Sequence, residues 1–323
     1  MTDPIRMAIL GPLGIGGAPL GNLFAPVADD LARATLRAAW EVGIRLFDTA
    51  PFYGFGLSEH RMGEMLRIQP RDEFVISTKV GRLLVPDPAV AAERHGFVGG
   101  LPFRMEYDYS YDGARRSIEQ SLHRLGLARI DIALIHDVGE DTHGPAWRDR
   151  FEEAMQGAVV ALTEMRQEGL IGGWGLGVNR VEPCLMTLER ADPDVFLVAG
   201  RYTLLDTEAA TELFPRCAER GVQAIIGGPY NSGLLAGGTT FDYVDAPPAL
   251  VERVRRLGNA CARHEVDLRA AALQFCAAHP VVAAVIPGPR NPGEVEDNAR
   301  LMSAPIPDAL WQELRRDGLI PEG

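Results

Sequence analysis

Short apolar runs recur along the chain with a helix-length segment after each one, and this repeated order narrows the fold more than any other feature. Ile44–Asp48, Phe74–Lys79, Ile130–His136, Gly172–Val178, Val195–Ala199, Val222–Ile226 and Val282–Ile286 read as strands. The Gly-rich segment around Leu13–Gly16 adds an eighth. None shows much polar alternation, as expected of parallel strands covered on both faces. Between them, Ala28–Val42, Asp112–Leu125, Phe151–Gln167 and Thr207–Arg220 carry helical spacing. The second is expected to start on Asp112 as N-cap, with Ile118, Leu122 and Leu125 as its apolar residues. The last ends in Arg220-Gly221, a basic final turn followed by a C′ glycine.

With no break in composition, the alternation predicts one α/β domain over residues 1–323. An open doubly wound sheet gives the same alternation, but eight units in 323 residues favour a closed (β/α)8 TIM barrel. Two connections are long: Arg82–Tyr109 after the third strand and Asp137–Arg150 after the fourth. Loops of that length in a compact domain commonly serve as lids, so both are expected to frame a substrate mouth.

Charge and cysteines narrow the setting. A formal net charge of −12 opposes non-specific attraction to nucleic acid or an anionic membrane. No run approaches the roughly 18–20 apolar residues of a spanning helix. Cys184, Cys217, Cys261 and Cys276 form no C-x-x-C pair, and Met1–Pro4 lacks the pattern of a secretory leader. Reduced core thiols in a cytoplasmic protein are expected.

Asp48, Lys79 and His136 each close a predicted strand, and Tyr53 follows Asp48 by five residues. The C-terminal rim of a barrel is where catalytic side chains gather. Each residue has an ordinary alternative: a turn aspartate, a solvated lysine, a core histidine beside Asp137. Together they suit carbonyl chemistry. A phenol with a reference pKa of about 10 needs help to move protons near neutrality. A Lys79 ammonium is expected to lower it, Asp48 to hold that ammonium, and His136 to orient the substrate oxygen. His264-Glu265-Val266-Asp267-Leu268 lacks the second histidine of H-E-x-x-H, and no G-x-S-x-G occurs, so neither a metal site nor a serine nucleophile is expected.

Three ordered segments carry a family resemblance. Phe47-Asp48-Thr49-Ala50-Pro51-Phe52-Tyr53-Gly54, with Gly56-Leu57-Ser58-Glu59 after it, is similar to the signature opening of aldo-keto reductases. Ser77-Thr78-Lys79-Val80-Gly81 and Leu134-Ile135-His136-Asp137 resemble that family's next two segments. The similarity runs from about Leu13 to Pro307. It implies a barrel oxidoreductase with a tetrad of Asp48, Tyr53, Lys79 and His136, Tyr53 being the acid–base residue. Ala199–Asp206 and Gly227–Leu235 are most similar to the aldose dehydrogenases of L-fucose, D-threo-aldose and L-galactose type, with pyridoxal 4-dehydrogenase a close relative. The implied reaction oxidises a ring hemiacetal to a lactone, the substrate being a small sugar or aldehyde. Pyridoxal oxidation and aldehyde reduction stay open, as does a non-catalytic nicotinamide-binding sensor or channel-partner subunit.

Gly14-Ile15-Gly16-Gly17-Ala18-Pro19 ends in proline and does not complete a G-x-G-x-x-G fingerprint. The resemblance instead implies a nicotinamide cofactor laid across the rim. Gly16, Gly17 and Ala18 would lie near the nicotinamide and Asn179 at its carboxamide. The loop Pro229, Tyr230, Asn231, Ser232, Gly233 and Leu234 would follow the pyrophosphate, offering backbone N–H groups and the Ser232 hydroxyl. Gly288, Arg290, Glu294 and Asn298 would meet the adenosine. NADP-using relatives carry a basic pair where this chain has Gly288 and Glu294, so NAD is expected over NADP. Arg290 complicates this, being able to stack on adenine or reach a phosphate. Two further departures are Gly227 for the tyrosine that stacks on nicotinamide, and Ala199 for the carboxamide glutamine.

Overall fold

The computed structural model describes residues 11–321, so Met1–Pro4 lies outside the described residues. Eight parallel strands pair in chain order: β1 (Gly14–Gly16), β2 (Leu46–Asp48), β3 (Val75–Val80), β4 (Ile130–His136), β5 (Ile171–Val178), β6 (Val195–Ala199), β7 (Gln223–Gly227) and β8 (Val282–Ile286). β8 returns to the start: Leu13 bridges Val285, Val285 N donates to Pro12 O at 2.9 Å, and Gly16 N donates to Pro287 O at 2.8 Å. That return closes a (β/α)8 barrel and excludes the open sheet. Every expected strand is present to within two residues.

The strands look uniformly apolar because they have two buried faces. Leu46, Ile132, Leu134, Leu197, Ile225 and Ile286 belong to a cluster built from strand side chains alone, which fills the barrel. Their neighbours Phe47, Ala133, Ile135, Phe196, Val198 and Ile226 belong to the larger core shared with the helices. The period of two is thus intact, with hydrophobic residues in both phases.

Following the strands in turn are α1 (Asp29–Glu41), α2 (Leu57–Leu66), α3 (Tyr111–Leu125), α4 (Ala158–Glu168), α5 (Glu182–Arg190), α6 (Leu213–Arg220), α7 (Leu268–Ala277) and α8 (Pro292–Met302). Three details differ from the sequence reading. The N-cap of α3 is Ser110, whose hydroxyl accepts from Gly113 N at 3.1 Å, while Asp112 sits inside the first turn. Phe151–Gln167 is not one helix. Gly157 separates Trp147–Gln156 from α4, and a Cβ there would lie 2.7 Å from the Tyr109 carbonyl oxygen and the Ser110 Cα. Glu212 likewise divides Thr207–Arg220, though Gly221 takes the expected left-handed cap at φ 69°.

The two long connections are folded, and both lie over the C-terminal rim. In the first, Arg82–Pro86 pairs antiparallel with Phe103–Tyr107, and Glu93–Arg94 with Phe97–Val98. It is fastened to neighbouring rim loops by Phe24 N to Gly96 O at 2.7 Å and Leu101 N to Gly54 O at 3.0 Å. The second carries a helical turn at Glu140–His143, and Asp141 accepts from Asn179 Nδ2 at 3.3 Å just past β5. All four cysteines are free and buried. Among the described residues no helix is long and apolar enough to cross a membrane.

Candidate active site

β2 ends in Asp48, and β3, paired with it, carries Lys79 one position before its end. Lys79 Nζ donates to Asp48 Oδ1 at 2.9 Å, to Oδ2 at 2.8 Å, and to the Thr49 carbonyl at 2.9 Å. Ser77 Oγ donates to Asp48 Oδ1 at 2.8 Å. The lysine stem crosses the barrel mouth over β5, where a Cβ on Gly177 would stand 3.1 Å from Lys79 Cε. Both charges are almost wholly buried, at 2% and 1% exposure. Burial raises the Asp48 carboxyl above its usual range, and the Lys79 ammonium and Ser77 hydroxyl oppose that rise.

Tyr53 lies on this pair, its ring centre 4.7 Å from Lys79 Nζ. The ring is half-buried, one side facing a crevice, and it meets the His136 ring edge-on at 5.8 Å. The expectation that Lys79 acidifies the phenol is not met. Desolvation deep in the crevice pushes Tyr53 well above its usual range, Asp48 and Asp137 push the same way, and Arg82 opposes them. Lys79 has given its hydrogen bonds to Asp48 and Thr49, and the carboxylate offsets its field at the phenol.

His136, the last residue of β4, is held by Arg82, which in the sequence reads only as the start of a loop. Arg82 Nη1 lies 2.9 Å from His136 Nδ1, and Arg82 Nη2 donates to Asp137 Oδ2 at 2.8 Å. Burial, with the charges of Arg82 and Lys79, lowers the His136 pKa well below its ordinary value. Tyr109 Oη donates to the His136 carbonyl at 2.8 Å and contacts His143 Nε2 at 2.9 Å. Nothing in the spacing of Arg82, Tyr109 and His143 announces these contacts, which arise from loops folding back on the rim.

A crevice of about 520 Å³ runs from this group across the rim. Asp48, Tyr53, Gly16, Gly17, Ala18 and Asn179 line it. Pro229, Tyr230, Asn231, Ser232 and Gly233 line it too, as do Gly288, Arg290, Glu294 and Asn298. Lys79 and His136 are not among its lining residues but lie directly beside Tyr53, which is. Leu234 also departs from expectation: it is buried with Leu204, Leu205 and Leu257 in a second core. Phe24 and Tyr243 flank the crevice, their rings 6.3 Å apart. No group of three or more His, Cys, Asp or Glu suited to a metal occurs among the described residues.

The glycines and polar groups here have mixed duties. A Cβ on Gly17 would lie 2.6 Å from Ser58 Oγ and 2.7 Å from the Asp48 carbonyl oxygen, so packing alone demands that glycine. The Ser232 hydroxyl accepts from Tyr243 N at 3.1 Å, and the N–H groups of Asn231, Gly233 and Leu234 are spent on turn bonds. Asn231 Oδ1, by contrast, is buried without a partner. Glu294 faces the crevice but also caps α8: its carboxylate accepts from Arg290 N at 2.8 Å and Asn291 Nδ2 at 2.7 Å.

The Aldo/keto reductase family matches residues 12–316. The chain is an aldo/keto reductase. As such it is an NAD(P)-dependent oxidoreductase acting on a small molecule. It is 43% identical to pyridoxal 4-dehydrogenase of Microbacterium luteolum, over 95% of this chain and 94% of that one. It is 41% identical to D-threo-aldose 1-dehydrogenase of a Pseudomonas species, over 99% and 98%. An aldo-keto reductase from Bacillus halodurans in its holo form superposes with a TM-score of 0.72 at 25% identity, covering 94% of this chain and 91% of that one. Gly227 and Ala199, the two departures noted from the sequence, both line the crevice.

Proposed function

We propose that this enzyme, working as one barrel domain over residues 1–323 in the cytoplasm, oxidises the anomeric hydroxyl of an aldose of the L-fucose or D-threo-aldose type to a lactone. The observation carrying this reading is Tyr53 set in the crevice over the buried Lys79–Asp48 pair and beside a neutral His136. Tyr53 exchanges the proton on the reacting oxygen, and His136 orients that oxygen by a hydrogen bond. Lys79, fixed by Asp48, packs its ammonium against the phenol ring and holds it in place. The high phenol pKa keeps Tyr53 in the form that donates a proton to a carbonyl, so the oxidative direction gains rate as pH rises.

The crevice suits a nicotinamide cofactor, which supplies the hydride acceptor for oxidation when bound. Its walls are glycine-rich, and the orphaned Asn231 Oδ1 offers an acceptor for an amide N–H alongside Asn179. NAD is the preferred form in this proposal. A 2′-phosphate needs a free cation, yet Arg290 Nη2 already donates to the Leu23 carbonyl at 2.7 Å, and Arg269 is bound to Asp267 and Asp297.

Pyridoxal, itself a cyclic hemiacetal, is the second reading. Phe52 and Tyr107, partly exposed beside His136 and Arg82, offer aromatic surface to a planar ring, and the relative at 43% identity is named for that substrate. A turnover panel tests both. NAD and NADP are each paired with L-fucose, L-galactose, D-arabinose, L-xylose and pyridoxal, and simple aldehydes with the reduced cofactors. Lactone from an aldose supports the first reading, and turnover of pyridoxal alone the second. Cofactor binding without turnover of any pair would replace both by a nicotinamide-binding sensor or channel-partner subunit.

A further inference from the structure

We infer that Arg82 is a positioning residue that fixes the Nε2–H tautomer of His136 and keeps that proton free for the reacting oxygen. The argument begins with donor chemistry. A guanidinium has N–H donors and no acceptor, so at 2.9 Å from Arg82 Nη1 the His136 Nδ1 must accept. An imidazole whose Nδ1 accepts carries its one proton on Nε2. Burial at 4% exposure and the guanidinium above the Phe52 ring, 4.2 Å from its centre, hold Arg82 in that place.

The second arm of the guanidinium guards the proton. His136 Nε2 lies 3.4 Å from Asp137 Oδ2, a separation too long for a good hydrogen bond but close enough for a competitor. Arg82 Nη2 occupies that same oxygen at 2.8 Å. Without Arg82, Asp137 would stand unneutralised beside the ring, which would take up a second proton and pair with the carboxylate. The other groups facing His136 do not replace this control. Lys79 and Asp48 pair with each other, Tyr53 and Phe52 present ring faces or edges, and Tyr109 bonds the His136 carbonyl. Asp141, Tyr107 and His143 lie beyond Asp137, Arg82 and Tyr109 respectively.

The inference rests on the proposed role of His136 in orienting the reacting oxygen, but its test has a readout independent of turnover. Nitrogen-15 spectra of histidine-labelled enzyme report the His136 tautomer and its ionisation, with His136→Gln assigning the signal. The wild type should show a protonated Nε2 and an unprotonated Nδ1 at pH 7, and the ring should stay neutral below the ordinary histidine ionisation. In Arg82→Gln the ionisation should move up into the pH 5–8 window around the reference histidine value of about 6.5. In the same variant kcat/KM should fall about 10²-fold at pH 6, as for loss of an acid–base partner, and recover as pH rises. Arg82→Lys, which keeps the charge, should restore much of the wild-type profile, and cofactor Kd should change little in either variant. A wild-type ring protonated on Nδ1, or an Arg82→Gln enzyme with unchanged tautomer and ionisation, overturns the inference. If Arg82→Gln does not fold, the wild-type and Arg82→Lys spectra decide it. If no substrate turns over, the function proposed above fails while the tautomer is still settled.

Discussion

Lys79 sits 4.7 Å from the centre of the Tyr53 ring, yet its three hydrogen bonds go to Asp48 and Thr49. Proximity of a cation is therefore not the same as acidification of the phenol. The ammonium and carboxylate form a nearly neutral unit, and Tyr53 also feels desolvation and the charge of Asp137. The barrel has set a phenol that resists ionisation against a histidine that resists protonation. Those two directions shape the pH behaviour.

Oxidation requires Tyr53 as phenolate, and its pKa lies above the ordinary phenol value of about 10. The oxidative kcat/KM should then climb with pH through the neutral and alkaline range, by up to about tenfold per unit where this ionisation governs the rate. The reductive rate should stay level across the same range, because the protonated phenol is already present. His136, lowered well below 6.5, should add no limb between pH 6 and 8. Measuring both directions from pH 5 to 10 checks this, and an oxidative plateau beginning near pH 7 would contradict it.

Tyr53→Phe removes the proton path and leaves the ring over Lys79. Turnover should fall on the order of 10²–10⁴-fold while cofactor Kd stays within about twofold. Stopped-flow measurement of the chemical step separates this from slow product release. Half of the wild-type rate in that step would remove Tyr53 from the reaction.

Asp48→Asn leaves the Lys79 ammonium buried beside a neutral amide. Breaking a buried pair from one side costs about 3–5 kcal/mol, so urea denaturation should show a large loss of stability along with lost activity. The double variant Asp48→Asn, Lys79→Met removes the stranded charge and should regain part of the stability without regaining turnover. If the single variant is as stable as wild type, the pair contributes little to holding the barrel mouth.

Much of this molecule is legible before any coordinates. The eight strands show because both of their faces are buried, which leaves unmistakable apolar runs, and three of them deliver Asp48, Lys79 and His136 to one rim. What stays hidden depends on contacts between distant segments. Helical spacing continues across Gly157, and only the Tyr109 and Ser110 backbone against it explains the break. Arg82 reads as a loop residue until the hairpin folds and brings it to His136, 54 positions away. The direction of the Tyr53 shift is hidden for a related reason: the sequence shows Asp48 holding Lys79, but not the desolvation and the Asp137 charge that the folded rim adds at the phenol. Leu234 continues a loop that lines the crevice, but the chain turns it into a leucine core.

Glu294 yields the last prediction, because a helix cap and a charge reside in its one side chain. Glu294→Arg would remove the carboxylate facing the crevice and also the hydrogen bonds to Arg290 N and Asn291 Nδ2. Glu294→Gln separates these effects, since its amide oxygen still accepts from one of those donors while the negative charge is gone. The ratio of kcat/KM for NADP over NAD should rise in both variants, by about tenfold for a gain of 1.4 kcal/mol in Glu294→Arg and by less in Glu294→Gln. Gly288→Lys, although it adds a cation at the other position of the basic pair, should not help. A Cβ there would stand 2.9 Å from Pro19 Cδ and Cγ, on the wall that also carries Gly16, so use of both cofactors should weaken. Steady-state kinetics with both cofactors in wild type and the three variants check the set. A wild-type preference for NADP would mean that Arg290 leaves the Leu23 carbonyl for the 2′-phosphate. An unchanged ratio in Glu294→Arg would mean that its carboxylate serves the helix and not the ribose.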